Sequence, residues 1–133
     1  MKVYVFGNKD SKHDKAAFTV ADKIKAKFPL VEFVMVGTNK DLPFKPGEQA
    51  IILDAVEGIN KVALIENGNL ERLINKRSVS VHDFDLGFQL RYLKKLGKLG
   101  DVRIIGIPME RKIDYLRIQS ILRKLVAQDM QGS

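Results

Sequence analysis

Two carboxylates and an imidazole, Asp14, Asp54 and His82, are the residues of this 133-residue chain whose types and surroundings point to chemistry. Carboxylate oxygen and imidazole nitrogen suit a borderline divalent metal ion, and three protein ligands leave coordination positions open for water or substrate. The chain has no cysteine, which removes thiolate zinc sites, disulfides and cysteine nucleophiles together. No serine, histidine and acid arrangement is evident, so covalent catalysis is disfavoured. Each residue also has a plain structural reading. Asp54 closes an apolar run and can be a hydrogen-bonding aspartate, since a carboxylate leaving water needs a cation, donor or ligand to meet it. Asp14 can simply favour a helix N-terminus through the dipole. His82 is one of two histidines and follows Ser-Val-Ser-Val; His13 can be solvent-exposed. Asp83 can support His82 as an outer carboxylate or cap the helix that follows. A shared site therefore requires a topology that brings three distant segments to one place.

The hydrophobic pattern supplies such a topology. Residues 2–6, KVYVF, form a β-branched and aromatic run ending at Gly7 and are expected to be the first strand. From Ser11 or Lys12 the period lengthens: Ala17, Val20, Ala21, Ile24 and Phe28 share one helical face, and Pro29 stops the helix. Strands are expected at 31–36, at 50–53 with Asp54 closing the run, and at 61–65 before the turn Glu66-Asn67-Gly68-Asn69. Between the second and third strands, Pro43, Pro46 and two glycines leave room for at most one irregular helical turn. A second amphipathic helix begins at Asp85 and ends at Gly97, and 102–107 is the fifth strand. The last helix runs from Ile113 or Asp114 to Ala127 on the stripe Ile118, Ile121, Leu122 and Leu125, with 131–133 a frayed polar tail.

Near-continuous apolar strands interleaved with amphipathic helices imply an α/β domain over 1–133, its sheet mostly parallel and covered on both faces. In open sheets of this kind, sites form beyond the carboxyl ends of the strands. That rule selects the segments carrying Asp14, after the first strand, and Asp54, after the third, with His82 ahead of the second helix.

Hydrophobic residues make up 45% of the chain and charged residues 29%, which excludes a disordered or low-complexity segment. The apolar runs fall well short of the roughly 20 residues that span a bilayer, and no signal sequence is apparent, so a cytoplasmic protein without membrane association is expected. The formal net charge of +7 favours anionic partners. The basic residues are spread over three expected helices without interleaved aromatics, so nucleic-acid binding is not expected.

The runs FGNKDSKHDKAAFTVADKI, IILDAVEG, SVSVHDFDLGFQL and VRIIGIPME, in this order and near these separations, resemble the hydrogenase maturation endopeptidase family over about residues 2–127. In that family a glycine-asparagine after the first strand precedes an acidic metal-binding residue by six positions, which Asp14 matches. A second acidic ligand ends the third strand, matched by Asp54, and a Ser-Thr-His-like motif supplies a histidine, matched in Ser80-Val81-His82. The resemblance implies a three-layer α/β/α sandwich, phosphorylase/hydrolase-like, around a five-stranded mostly parallel mixed sheet with one antiparallel strand. It also implies a metal-dependent or nickel-recognising aspartyl-type endopeptidase that removes the C-terminal extension of a nickel-containing hydrogenase large-subunit precursor after nickel insertion. Asp14, Asp54 and His82 would be both its metal-binding and its catalytic residues, with nickel presented by the precursor or another divalent metal in its place.

The sequence departs from the family pattern at His13, where an acidic residue is usual, at Lys15 and Ala17, where glycines are usual, and at Val81, where threonine is usual. Two other classes compete. A receiver-type phosphoacceptor domain would also end its third strand with an aspartate, but it needs an acidic pair after the first strand, a hydroxyl after the fourth and a lysine after the fifth. Gly7-Asn8, Glu66-Asn67 and Gly106-Ile107-Pro108 stand there instead. A noncatalytic basic binding module of α/β fold is the other alternative.

Overall fold

The computed structural model of the chain describes residues 1–7, 16–36, 49–56, 59–66, 102–108 and 112–132. Five strands form one sheet: β1 (Lys2–Phe6), β2 (Glu32–Val36), β3 (Ala50–Val56), β4 (Ala63–Ile65) and β5 (Val102–Pro108), in the spatial order β2-β1-β3-β5-β4. The first three pairings are parallel, and β4 alone runs antiparallel, against β5. The sheet is therefore mixed, with its single reversed strand at one edge. The described helices are α1 (Ala16–Ile24), which tightens into a 3-10 turn at Lys25–Lys27, and α2 (Tyr115–Gly132).

Side-chain alternation along the strands separates two faces. Val3, Val5, Leu53, Ile105 and Ile107 point to one face and pack with Ala17, Val20, Ala21 and Ile24 of α1 and Ile118, Leu122 and Leu125 of α2. The small side chains of Ala17 and Ala21 bring α1 close to the sheet, where it lies against β1 and β3. On the opposite face the register sets Val34, Tyr4, Ile52, Ile104 and Ile65 side by side across all five strands. Tyr4, Ile52, Ile104 and Ile65 of that row are buried too. Both faces of the central strands are thus out of water, which is why these strands read as unbroken apolar runs.

Strands β2 and β5 differ from the sequence expectation by one residue at one end, and three further boundaries differ for a physical reason. Strand β3 does not close at Asp54 but continues to Val56, because its ladder with β5 runs on through Asp54–Gly106, Ala55–Ile107 and Val56–Pro108. Backbone pairing beside a neighbouring strand is indifferent to the charge of one side chain. Strand β4 begins at Ala63 instead of at residue 61 and pairs only through Ile65. Helix α2 extends beyond Ala127, and Gln131 and Gly132 belong to its last turn instead of a frayed tail. The Arg103 guanidinium donates to Gln128 Oε1 at 2.9 Å, tying that extension to β5 after the apolar stripe has ended.

The start of α2 agrees with expectation. Asp114 is its N-cap, its Oδ1 accepting from the Arg117 amide at 3.1 Å while its carbonyl accepts from the Ile118 amide at 3.2 Å. Arg117 also reaches back, donating from Nε to the Val62 carbonyl at 2.6 Å, so the cap region of α2 is tied to the segment entering β4. Among the described residues no helix is long and apolar enough to cross a membrane. The expected second helix at 85–97 lies outside the described residues.

Candidate functional site

The strand order places the candidate site. From β1 the chain passes to β2 on one side, and β3 then takes the other side of β1. The carboxyl ends of β1 and β3 consequently flank the position where the direction of winding reverses, the usual place for a ligand crevice in an open α/β sheet. Gly7 follows β1 there, its amide still bonded to the Val36 carbonyl at 3.4 Å.

Asp54 stands on the β3 side of that position. Val5 and Leu53 are the last paired residues of β1 and β3, and Phe6 and Asp54 come one residue beyond them. Leu53 faces α1 and α2, so strand alternation turns Asp54 to the opposite face, the one that carries Tyr4, Phe6 and Ile52. On its other side Asp54 is in register with Gly106 of β5, which in turn pairs with Ala63 of β4. The carboxylate is thus set between a phenylalanine strand position and a glycine, with only 3% of the residue exposed. A carboxylate so deep in an apolar sheet is costly to ionise unless a cation or donors meet it.

Gly106 carries no chemistry of its own, and the sequence motifs do not point to it. Its signal was present: a glycine inside the otherwise apolar strand VRIIGIP marks a place where a side chain is left out and another group can approach the backbone. Here the omitted side chain is the one that would stand beside Asp54.

Asp14 and His82 lie outside the described residues, as do His13 and Asp83, so Asp54 is the expected site residue whose surroundings are described. Among the described residues no three His, Asp or Glu side chains gather as a metal-binding group. As an oxygen donor, Asp54 fits a divalent cation in chemistry, and its position where β1 and β3 stop pairing, beside the winding reversal, fits the place such a group would occupy.

No family model matches the sequence, and no curated protein matches it. Solved structures do resemble it in fold. An uncharacterized protein from Wolinella succinogenes superposes with a TM-score of 0.58 over 96% of each chain at 10% identity. An endopeptidase from Escherichia coli gives 0.52 at 18% identity, over 80% of this chain and 73% of that one. A hydrogenase 3 maturation protease gives 0.51 at 21% identity, over 85% of this chain and 74% of that one. With its five-stranded mixed sheet and the buried aspartate at the winding reversal, the chain has the α/β fold found in a hydrogenase maturation protease.

Proposed function

We propose that the chain is an endopeptidase that removes the C-terminal extension of a nickel-containing hydrogenase large-subunit precursor, acting in the cytoplasm once nickel has been inserted. The observation that carries this reading is the placement of Asp54, buried opposite Gly106 at the winding reversal of a fold that a hydrogenase 3 maturation protease also adopts. The sequence resemblance adds Asp14 and His82 as its partners.

In this reading nickel belongs to the substrate. Asp54, Asp14 and His82 recognise the metal that the precursor presents, and a precursor without nickel lacks the feature they read. A divalent ion polarises a peptide carbonyl or acidifies a bound water when it is held at such a site. Once a cation meets it, a carboxylate in the water-poor position of Asp54 acts on that cation more strongly than an exposed one does. A carboxylate engaged as a ligand is a poor proton acceptor, so taking a proton from the attacking water and passing it to the leaving amine fall to a group that is not coordinating the metal.

The deciding experiment incubates the purified chain with nickel-loaded and nickel-free precursors and follows the precursor C-terminus by mass spectrometry. Cleavage of the nickel-loaded form alone is the expected result. Binding of the loaded precursor without cleavage would overturn the peptidase assignment and leave a metal-reading interaction, whereas equal cleavage of both forms would overturn the role of nickel.

A further inference from the structure

A groove lies at the edge of the molecule away from Asp54. One wall is the turn that follows the 3-10 segment, including Pro29, Leu30 and Val31, directly before β2 begins at Glu32. The other wall is the carboxyl-terminal half of α2, through Arg123, Val126 and Met130. These three positions, at i, i+3 and i+7, form one face of the helix. The groove therefore opens beside the amino-terminal end of β2, whereas Asp54 lies toward the carboxyl end of β3, which runs parallel to β1 and through it to β2.

Its lining is apolar with a cationic rim. Leu30 and Met130 are large apolar residues left 68% and 62% exposed, and both belong to this one groove. A single exposed leucine needs no explanation, but two such residues bordering one concavity mark a place where something apolar can be covered. Lys27 and Arg123 are the charged lining residues, and among the described residues no acidic side chain lines the groove. The cavity volume is about 310 Å³. That is at the lower limit of the roughly 300–1,000 Å³ that encloses a drug-sized ligand, and it suits one anchoring side chain better than a whole cofactor.

Charge selects the occupant. A second copy of the chain would bring its own +7 toward Lys27 and Arg123, and a basic peptide would be repelled in the same way. We propose that this groove is a docking site for an acidic peptide segment of a partner protein, which inserts one leucine-sized apolar side chain between Leu30 and Met130 and sets its carboxylates against Lys27 and Arg123. The apolar anchor supplies the buried contact, and the two cations give orientation and reject basic sequences. The inference stands apart from the peptidase reading, since it uses no residue of the Asp54 site.

The test uses the full chain and short fluorescein-labelled peptides in which one leucine is flanked by glutamates, read by fluorescence anisotropy. Control peptides replace the glutamates by lysines or the leucine by serine. The glutamate–leucine peptide should bind, and both controls should bind weaker by roughly tenfold or more. Lys27→Glu, and Lys27→Glu combined with Arg123→Glu, should each weaken binding by a similar factor, as should Leu30→Ser with Met130→Ser, the far-ultraviolet circular dichroism remaining that of the parent. Absence of peptide binding overturns the proposal, as does equal binding of the lysine peptides or indifference to the groove variants. Binding of phosphatidylglycerol vesicles in place of the peptide overturns it in favour of a lipid surface, and self-association lost with the groove variants overturns it in favour of a second copy.

Discussion

Asparagine has nearly the size of aspartate and none of its charge, so Asp54→Asn separates what the carboxylate does from what the side chain fills. With Asp54 buried between Phe6 and Gly106, the variant should keep its fold and, on the proposed function, lose activity. Processing of a nickel-loaded precursor should fall by about 100-fold or more, since even the outer partners of a metal ligand are worth about 10–100-fold, with an unchanged circular dichroism spectrum. Asp14→Asn and His82→Ala should fall comparably, and normal processing by all three variants would remove the site assignment. Gly106 gives a second handle from the neighbouring strand. Gly106→Val places a branched side chain next to Asp54 where none stands now, and overpacking there should cost about 1–3 kcal/mol in urea unfolding and reduce processing along with it. Lys25 is the contrast: its 3.4 Å pair with Asp22 is exposed at both ends. Such surface pairs contribute about 0–1 kcal/mol, and Lys25→Ala should leave both unfolding midpoint and cleavage nearly unchanged.

At the scale of elements, the packing of α2 predicts where stability resides. Leu122 is buried against the sheet face that carries Val3, Val5 and Leu53, and Leu122→Ala should cost about 2–5 kcal/mol. Asp114→Ala removes the side-chain acceptor of the Arg117 amide and should cost about 1 kcal/mol by denaturant titration. The same elements show what a sequence can reveal of this fold. Strands β1, β3 and β5 are legible because burial on both faces leaves few polar positions to interrupt them. The stripe of Ile118, Leu122 and Leu125 is legible because it repeats at helical spacing. The end of α2 is not, because the helix runs on past its apolar stripe, where Arg103 meets Gln128 in a long-range contact that no periodicity records. A charge interrupting an apolar run reads as a strand end at Asp54, while the β3–β5 ladder continues past it. The reversed direction of β4 is invisible to apolar pattern, since a three-residue strand reads the same either way; the family resemblance implies one antiparallel strand without saying which. Asp54 at the winding reversal follows from strand order, whereas a site shared with Asp14 and His82 is an expectation from the rule that sites form beyond the carboxyl ends of the strands and from that resemblance.

For the whole molecule, the governing quantity is the excess of basic over acidic residues, 23 against 16. Exposed Lys2, Lys23, Lys25, Lys27, Arg117, Arg123 and Lys124 are carried on β1, α1 with its 3-10 turn, and α2, so the positive field is not the property of one patch. A field of this kind draws an acidic partner in from beyond contact distance and raises the encounter rate more than it changes the chemistry that follows. Salt shortens its reach, from a screening length of about 30 Å at 0.01 M to about 8 Å at 0.15 M. If the precursor presents an acidic surface to this chain, its association rate in stopped-flow mixing should fall steeply across that range. Single-turnover cleavage of the saturated complex should change little, because the Asp54 carboxylate is buried and a close buried interaction is screened far less than a distant exposed one. An association rate indifferent to salt would reject steering, while a cleavage step that weakens in parallel would place the salt-sensitive charges at the reacting centre instead of on the surface.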